Sequence, residues 1–192
     1  MTGPHIRLML VSLMLTSFHL APPEMPAAAS IERDPETAVR HYFQARATGL
    51  TSRDLGRLVP VVVAEAERAG FTPAMVLAVI EVESGGRIRA RSHADARGLM
   101  QLLPTTGAWL AVEAGIPWSG PETLYDPVHN VRLGIRYLER LVDRFGDVPT
   151  ALAAYNAGPT RVARLLRRGH PIPRRYAERV MAAWVPSVRA EI

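Results

Sequence analysis

The chain has 192 residues, 48% of them apolar, enough for one domain with an ordinary core, and a formal net charge of +5. It has no cysteine, which excludes a disulfide framework, a thiolate nucleophile, a zinc–thiolate site and a lipid-modified N-terminal cysteine. Its 6 histidines are scattered without a His-x3-His pair or an HExxH, so no metal and no cofactor are expected, and all 23 basic residues are arginine, which favours polyanionic partners in general.

The first segment, "MTGPHIRLMLVSLMLTSFHL", has a weakly positive start at His5 and Arg7 and an apolar run from Leu8 to Phe18. A Pro-rich stretch follows and closes in "PAAAS", where Ala27 and Ala29 form a small-x-small pattern before Ser30. This is the layout of a secretory signal peptide over residues 1–29. The apolar run is about half of the roughly 20 residues a membrane span requires. Export to the periplasm or cell wall is therefore expected, without a lipoprotein anchor.

Beyond it, no strand-like alternation lasts more than a few residues and nothing repeats at a fixed period, so an all-α protein is expected. Residues 30–54 carry mixed charge with one short helical candidate, "PETAVRHYFQARATG", and read as an N-terminal extension. "LGRLVPVVVAEAERA", Leu55 to Ala69, reads as a helix with Pro60 in its first turn or at a kink. Gly70 stops it, and Thr72 and Pro73 supply the cap and first position of the next helix, "PAMVLAVIEVES". That helix is apolar on nearly every face, as a central helix should be, and Gly85 and Gly86 end it.

A shorter helix is expected from Thr105 to Ala114. In "LYDPVHNVRLGIRYLERLVDRFGD", Asp126 caps, Pro127 opens, Val131, Ile135, Leu138 and Val142 recur at helical spacing, and Gly146 closes. "VPTALAAYNAGP", "TRVARLLRRG" and "PRRYAERVMAAWV" make three more helices, and residues 187–192 a tail. Between Arg161 and Arg179 seven arginines face one acid, Glu178. Tyr176 is the lone stacking aromatic there, so this stretch reads as a solvated helix face and no nucleic-acid partner is expected.

Glu81 and Glu83 end the central helix two residues apart, about 200 degrees around it, so at most one of them points into any cleft. Glu83 follows Val79 and Val76 on the inward stripe, where partial desolvation raises a carboxyl pKa toward the range of a general acid. A structural ion pair with Arg87, Arg89 or Arg91 is the competing reading, and the helix pattern alone leaves both open.

Four blocks in order resemble the lytic transglycosylase family, whose best-known members are the soluble lytic transglycosylases of bacteria. These are Glu83-Ser84 near the end of a buried helix with Ser92 nine positions after the glutamate, Gly98-Leu-Met-Gln101 followed by Pro-Thr-Thr, the Asp126-Pro127 helix and "ALAAYNAGPTRV". The resemblance covers roughly residues 58 to 184. It implies a single lysozyme-like helical domain, here bounded at 55–186, acting on peptidoglycan glycan strands, with Glu83 as the one catalytic carboxylate, first acid and then base. It further implies that Met100 and Gln101 line the sugar cleft, that Tyr155 and Asn156 close its opposite wall, and that the Ser92 hydroxyl polarises the substrate or holds Glu83. Gly98 and Gly158 would allow close approach of the glycan or a tight turn. Leu103 stands where the family often has methionine.

Ordinary glycosidases flank the scissile bond with two carboxylates, and this motif supplies one. The family's route uses the 2-acetamido group of N-acetylmuramic acid and ends in a 1,6-anhydro ring. Were Asp95 to reach the cleft, a lysozyme-type hydrolysis would be expected instead. A wall-binding module using the arginine-rich C-terminal stretch is the alternative outside catalysis. A monomer is expected, of a size that suits opening the wall locally for a secretion, conjugation or flagellar apparatus.

Overall fold

The computed structural model describes residues 34–189, and the expected signal peptide and its cleavage site lie outside them. Eight α-helices follow in order: α1 (Pro35–Gln44), α2 (Ser52–Arg68), α3 (Pro73–Ser84), α4 (Pro104–Ala114), α5 (Pro127–Phe145), α6 (Val148–Ala157), α7 (Pro159–Arg167) and α8 (Arg175–Arg189). A 3-10 turn at Pro121–Tyr125 precedes α5. Among the described residues there is no strand, only isolated antiparallel bridges that pair Arg97 with Arg91 and with Leu102. The all-α expectation holds.

The centre is α3. Residues 74–80 are all buried, and α1, α2 and α8 pack around the helix. Thr72 caps it by accepting from the Met75 N–H, and Gly85, at φ 59°, ends it in the left-handed conformation. The amphipathic α5 forms the second support, with Val131, Ile135 and Leu138 buried toward the main core and Leu133 toward a smaller cluster with Leu110 and Leu124 beneath α4. Asp126 accepts from the His129 N–H, as the Asp-Pro signal predicts.

Three boundaries differ from the sequence reading. Residues 35–50 are part of the domain rather than an extension: Val39 and Phe43 of α1 lie in the same hydrophobic cluster as α2 and α3. Two apolar residues amid mixed charge do not signal this, yet they suffice once α2 and α3 offer a surface. Helix α2 begins at Ser52, because Thr51 and Asp54 form a reciprocal capping box. Pro60 therefore sits inside the helix, where both it and Gly56, the residue whose carbonyl it leaves unpaired, face solvent. At the other end, α8 runs to Arg189, into the expected tail. Among the described residues no helix is long and apolar enough to cross a membrane.

Candidate active site

The two carboxylates at the end of α3 part company as the helical geometry requires. Glu81 faces α1, where its Oε2 accepts from the Tyr42 hydroxyl at 2.8 Å and from Arg46 Nε at 2.9 Å. Glu83 faces α8, and its Oε1 accepts from the Tyr176 hydroxyl at 2.6 Å. Burial raises the Glu83 pKa to about 7, against the smaller opposing effects of the Tyr176 hydrogen bond and of nearby Arg179. Among the described residues, the ion pair with Arg87, Arg89 or Arg91 that a purely structural glutamate would make is absent; Arg91 pairs with Asp95. Glu83 thus can hold its proton near neutrality and release it again, as one group serving as both acid and base must.

Tyr176 is the main residue the sequence reading missed in this role. It is buried, stacks on Tyr155 with ring centroids 6.4 Å apart and planes 7° from parallel, and offers only its hydroxyl to Glu83. Nothing in "RRYAERV" announces this, because the pairing spans 93 positions and depends on α8 docking on α3. Tyr155 continues the wall: its hydroxyl donates to the Met100 carbonyl at 2.8 Å and its ring contacts Tyr137 at 5.2 Å between centroids.

The segment 97–102 is held over α3 and α5 by two buried side chains. Ser84 Oγ donates to the Leu99 carbonyl at 2.7 Å, the nearer of its two acceptors, and accepts from the Gly86 N–H at 3.2 Å. Asn130, fully buried on α5, donates to the carbonyls of Arg97 and Leu124, each at 2.9 Å, and accepts from the Met100 N–H at 2.7 Å. All three of its partners are backbone groups, and two of them, the Met100 N–H and the Leu124 carbonyl, would otherwise be stranded in the core, while the Arg97 carbonyl also accepts from the Leu102 N–H. Gly98, at φ 77°, is required by this same junction, since a Cβ there would fall onto the Leu124 carbonyl and the Asn130 amide. Its role is internal backbone approach, rather than the approach to a glycan expected from sequence. Gly158, at φ 86° with open space around it, serves the α6–α7 turn.

The structure separates the other expected site residues. Met100 does not line an open cleft: its side chain is fully buried against α5, in the space left by the missing Cβ of Gly134. Leu103, 42% exposed, presents the open apolar side chain of this segment instead. Gln101 takes φ 48°, with its Nε2 donating to the carbonyls of Ala90 and Gly98 at 3.1 and 3.0 Å, so its amide is fixed in the loop. Ser92 is exposed and its hydroxyl accepts from the Ala96 N–H at 3.1 Å, closing a turn rather than holding Glu83. Asn156 is exposed at the end of α6, one residue beyond Tyr155. Asp95 is held at 2.6 Å by Arg91 and at 3.0 Å by Arg97, which lower its pKa, so it is a structural carboxylate of the loop. Arg97 also reaches Glu122. Among the described residues no three His, Asp or Glu side chains gather as a metal site.

A helical domain built round one desolvated glutamate, with a tyrosine wall and a loop clamped across the helix end, is the class of structure these elements define. The transglycosylase SLT domain matches residues 60–170, and the chain belongs to that family. It is 38% identical over 88 residues to the soluble lytic murein transglycosylase of Escherichia coli, covering 45% of this chain and 14% of that protein. It is 41% identical over 86 residues to the transglycosylase of Enterobacteria phage PRD1, covering 45% and 29%. Among solved structures it resembles an inactive mutant of the lytic transglycosylase Slt from Pseudomonas aeruginosa, with a TM-score of 0.60 and 30% identity, covering 68% of this chain and 24% of that one. The chain thus spans less than a third of the length of each of these proteins.

Proposed function

We propose that this protein is a peptidoglycan lytic transglycosylase, acting in the periplasm or cell wall, with Glu83 as its single acid/base. The observation that carries the reading is the environment of Glu83: half-buried, raised to about pKa 7, and bonded to a phenol instead of an arginine. Its nearest rival, Asp95, is taken by two guanidiniums. Of these two carboxylates one is then available, where an ordinary glycosidase uses a pair.

The chemistry follows from that count. Protonated Glu83 gives its proton to the glycosidic oxygen between N-acetylmuramic acid and N-acetylglucosamine, the C1–O bond breaks, and N-acetylglucosamine leaves as an alcohol. The carbonyl oxygen of the muramic 2-acetamido group shares the positive charge left at C1. The Glu83 carboxylate then takes the proton of the C6 hydroxyl, whose oxygen closes on C1 to form the 1,6-anhydro ring. Glu83 ends protonated as it began, and no water is consumed. The Tyr176 hydroxyl steadies the carboxylate between the two steps, and the Tyr155 ring behind it keeps that phenol in place.

Mass spectrometry of products released from purified peptidoglycan tests this, with Glu83→Gln in parallel. Muropeptides lighter by one water than the hydrolysis products, and absent with the variant, are expected. Full-mass reducing products would replace the reading with a lysozyme-type hydrolase, and binding without any product would replace it with a wall-binding module.

A further inference from the structure

The last turn of α3 is gripped on the face turned away from Glu83. Glu81 Oε2 accepts from the Tyr42 hydroxyl at 2.8 Å and from Arg46 Nε at 2.9 Å. Arg46 is itself fixed, since its Nη1 donates to the Tyr42 carbonyl at 2.9 Å and its guanidinium lies 3.8 Å from the centre of the Tyr42 ring. An isolated exposed ion pair contributes little, but a carboxylate that meets a phenol and a guanidinium already locked to each other has little left to order. Both partners lie before residue 60, where the family match starts. We propose that Glu81 is a positioning residue, through which α1 braces the end of α3 and so holds Glu83 in place, an inference that rests on the transglycosylase reading.

Helix ends fray, and Glu83 is the last residue but one of α3. No basic side chain in that turn offsets the helix dipole. From α8, Arg179 reaches the Val82 carbonyl only at 3.5 Å, so the short bonds to this turn on its outer side come from α1. The brace also continues past the helix. Gly86, buried at φ 80°, passes so close beneath it that a Cβ there would meet Thr48 Cγ2 at 3.3 Å and Arg46 Cδ at 3.6 Å. The Ile88 N–H donates to the carbonyl of the buried Thr48 at 3.1 Å. Two residues on, the Ala90 carbonyl accepts from the Gly98 N–H at 2.9 Å and from Gln101 Nε2 at 3.1 Å. Residues 42–48 thus support in turn the helix end that bears Glu83, the exit from that helix, and the segment 97–102. Proton transfer from Glu83 depends steeply on its distance to the glycosidic oxygen, so a small drift of this turn would cost rate before it cost binding.

The test separates kcat from KM on purified peptidoglycan, at a temperature where circular dichroism shows every variant folded. Glu81→Ala, which removes the brace, should lower kcat about tenfold with KM within twofold of wild type, and Glu81→Gln, which keeps one acceptor oxygen, about threefold. Tyr42→Phe, which loses only the hydroxyl, should lie between wild type and Glu81→Ala. Native-state hydrogen exchange at the Gly85 and Ile88 amides should quicken about tenfold in Glu81→Ala, because the helix end opens more often. Arg68→Ala, which breaks the ion pairs of α2 with Glu65 and Glu139, is the control: it should lower stability and leave kcat unchanged. Unchanged kcat in Glu81→Ala would overturn the proposal, and so would exchange that quickens in α1 alone or an equal loss of kcat in Arg68→Ala. Should the chain release no anhydro product, the transglycosylase reading falls, while the Gly85 and Ile88 amides still decide whether α1 holds the helix end.

Discussion

Glu83 and Asp95 are carboxylates of the same short stretch, and the structure drives them apart. Glu83, at the end of α3, is half-buried, meets one phenol and has its pKa raised to about 7. Asp95, in the loop between α3 and α4, is gripped by Arg91 and Arg97 and has its pKa lowered. The difference teaches that, in a chain so rich in arginine, the catalytic candidate is the carboxylate to which no arginine bonds among the described residues. Charge density marks the loop as scaffold, and a low-charge, aromatic wall marks the site.

The largest expected effect breaks this comparison most directly. Glu83→Gln should lower turnover on peptidoglycan by about a thousandfold or more, the scale of lost general acid–base catalysis. Asp95→Asn should leave turnover within a few-fold of wild type. Rates on purified sacculi check both, and the reverse outcome would exchange the roles of the two residues.

Asn130→Ala sharpens the comparison from the scaffold side. It strands the Met100 N–H and the Leu124 carbonyl in the core, while the Arg97 carbonyl keeps the Leu102 N–H, and should cost about 3 kcal/mol in denaturant unfolding. A loss under 1 kcal/mol would mean that the segment 97–102 has another anchor.

Linkage provides a third test. A carboxyl whose folded pKa is raised stabilises the fold fully below its unfolded pKa of about 4.5, and that contribution is lost as pH rises through about 7. Glu83→Gln, which keeps an oxygen for Tyr176, should therefore be more stable than wild type at pH 8 by about 2–3 kcal/mol, with the gap closing toward pH 4. Asp95 has the opposite sign: its contribution is present above the unfolded pKa and is lost only as acid protonates it below that value. Unfolding curves across this pH range would expose a wrong assignment of either environment.

The smallest effect comes from the phenol. Tyr176→Phe removes a hydrogen bond that favours ionised Glu83, so the Glu83 pKa should rise further and the alkaline limb of the pH–rate profile should move to higher pH, by less than about one unit. A shift to lower pH would contradict the direction in which the bond acts.

Much of the fold was legible because helix ends are written locally. Thr72-Pro73, Asp126-Pro127 and Gly146 each act within four residues through caps and φ preferences, and the structure places them as helix termini. The separation of Glu81 from Glu83 was legible for the same reason, since helical geometry alone turns them to different faces. The short α1 was visible as a helix and misread as an extension, because its membership in the core depends on Val39 and Phe43 meeting surfaces supplied by other helices.

The site was legible to the extent that it is a run of residues, and no further. Glu83 at an inward helix position could be singled out from the apolar stripe around it, and its desolvation could be anticipated. Which side chains touch it could not, because Tyr176 arrives from 93 positions away and Met100, three positions before the exposed Leu103, is turned inward by Asn130 and by the gap at Gly134. Sequence by itself determined the helices in outline, the caps at Thr72 and Asp126 and the turning of Glu81 and Glu83 to different faces, all set by interactions within a few residues. Tertiary structure alone decided that Glu83 would meet a phenol and that Asp95 would be consumed by arginines, since burial and charge at a site are properties of what packs across it.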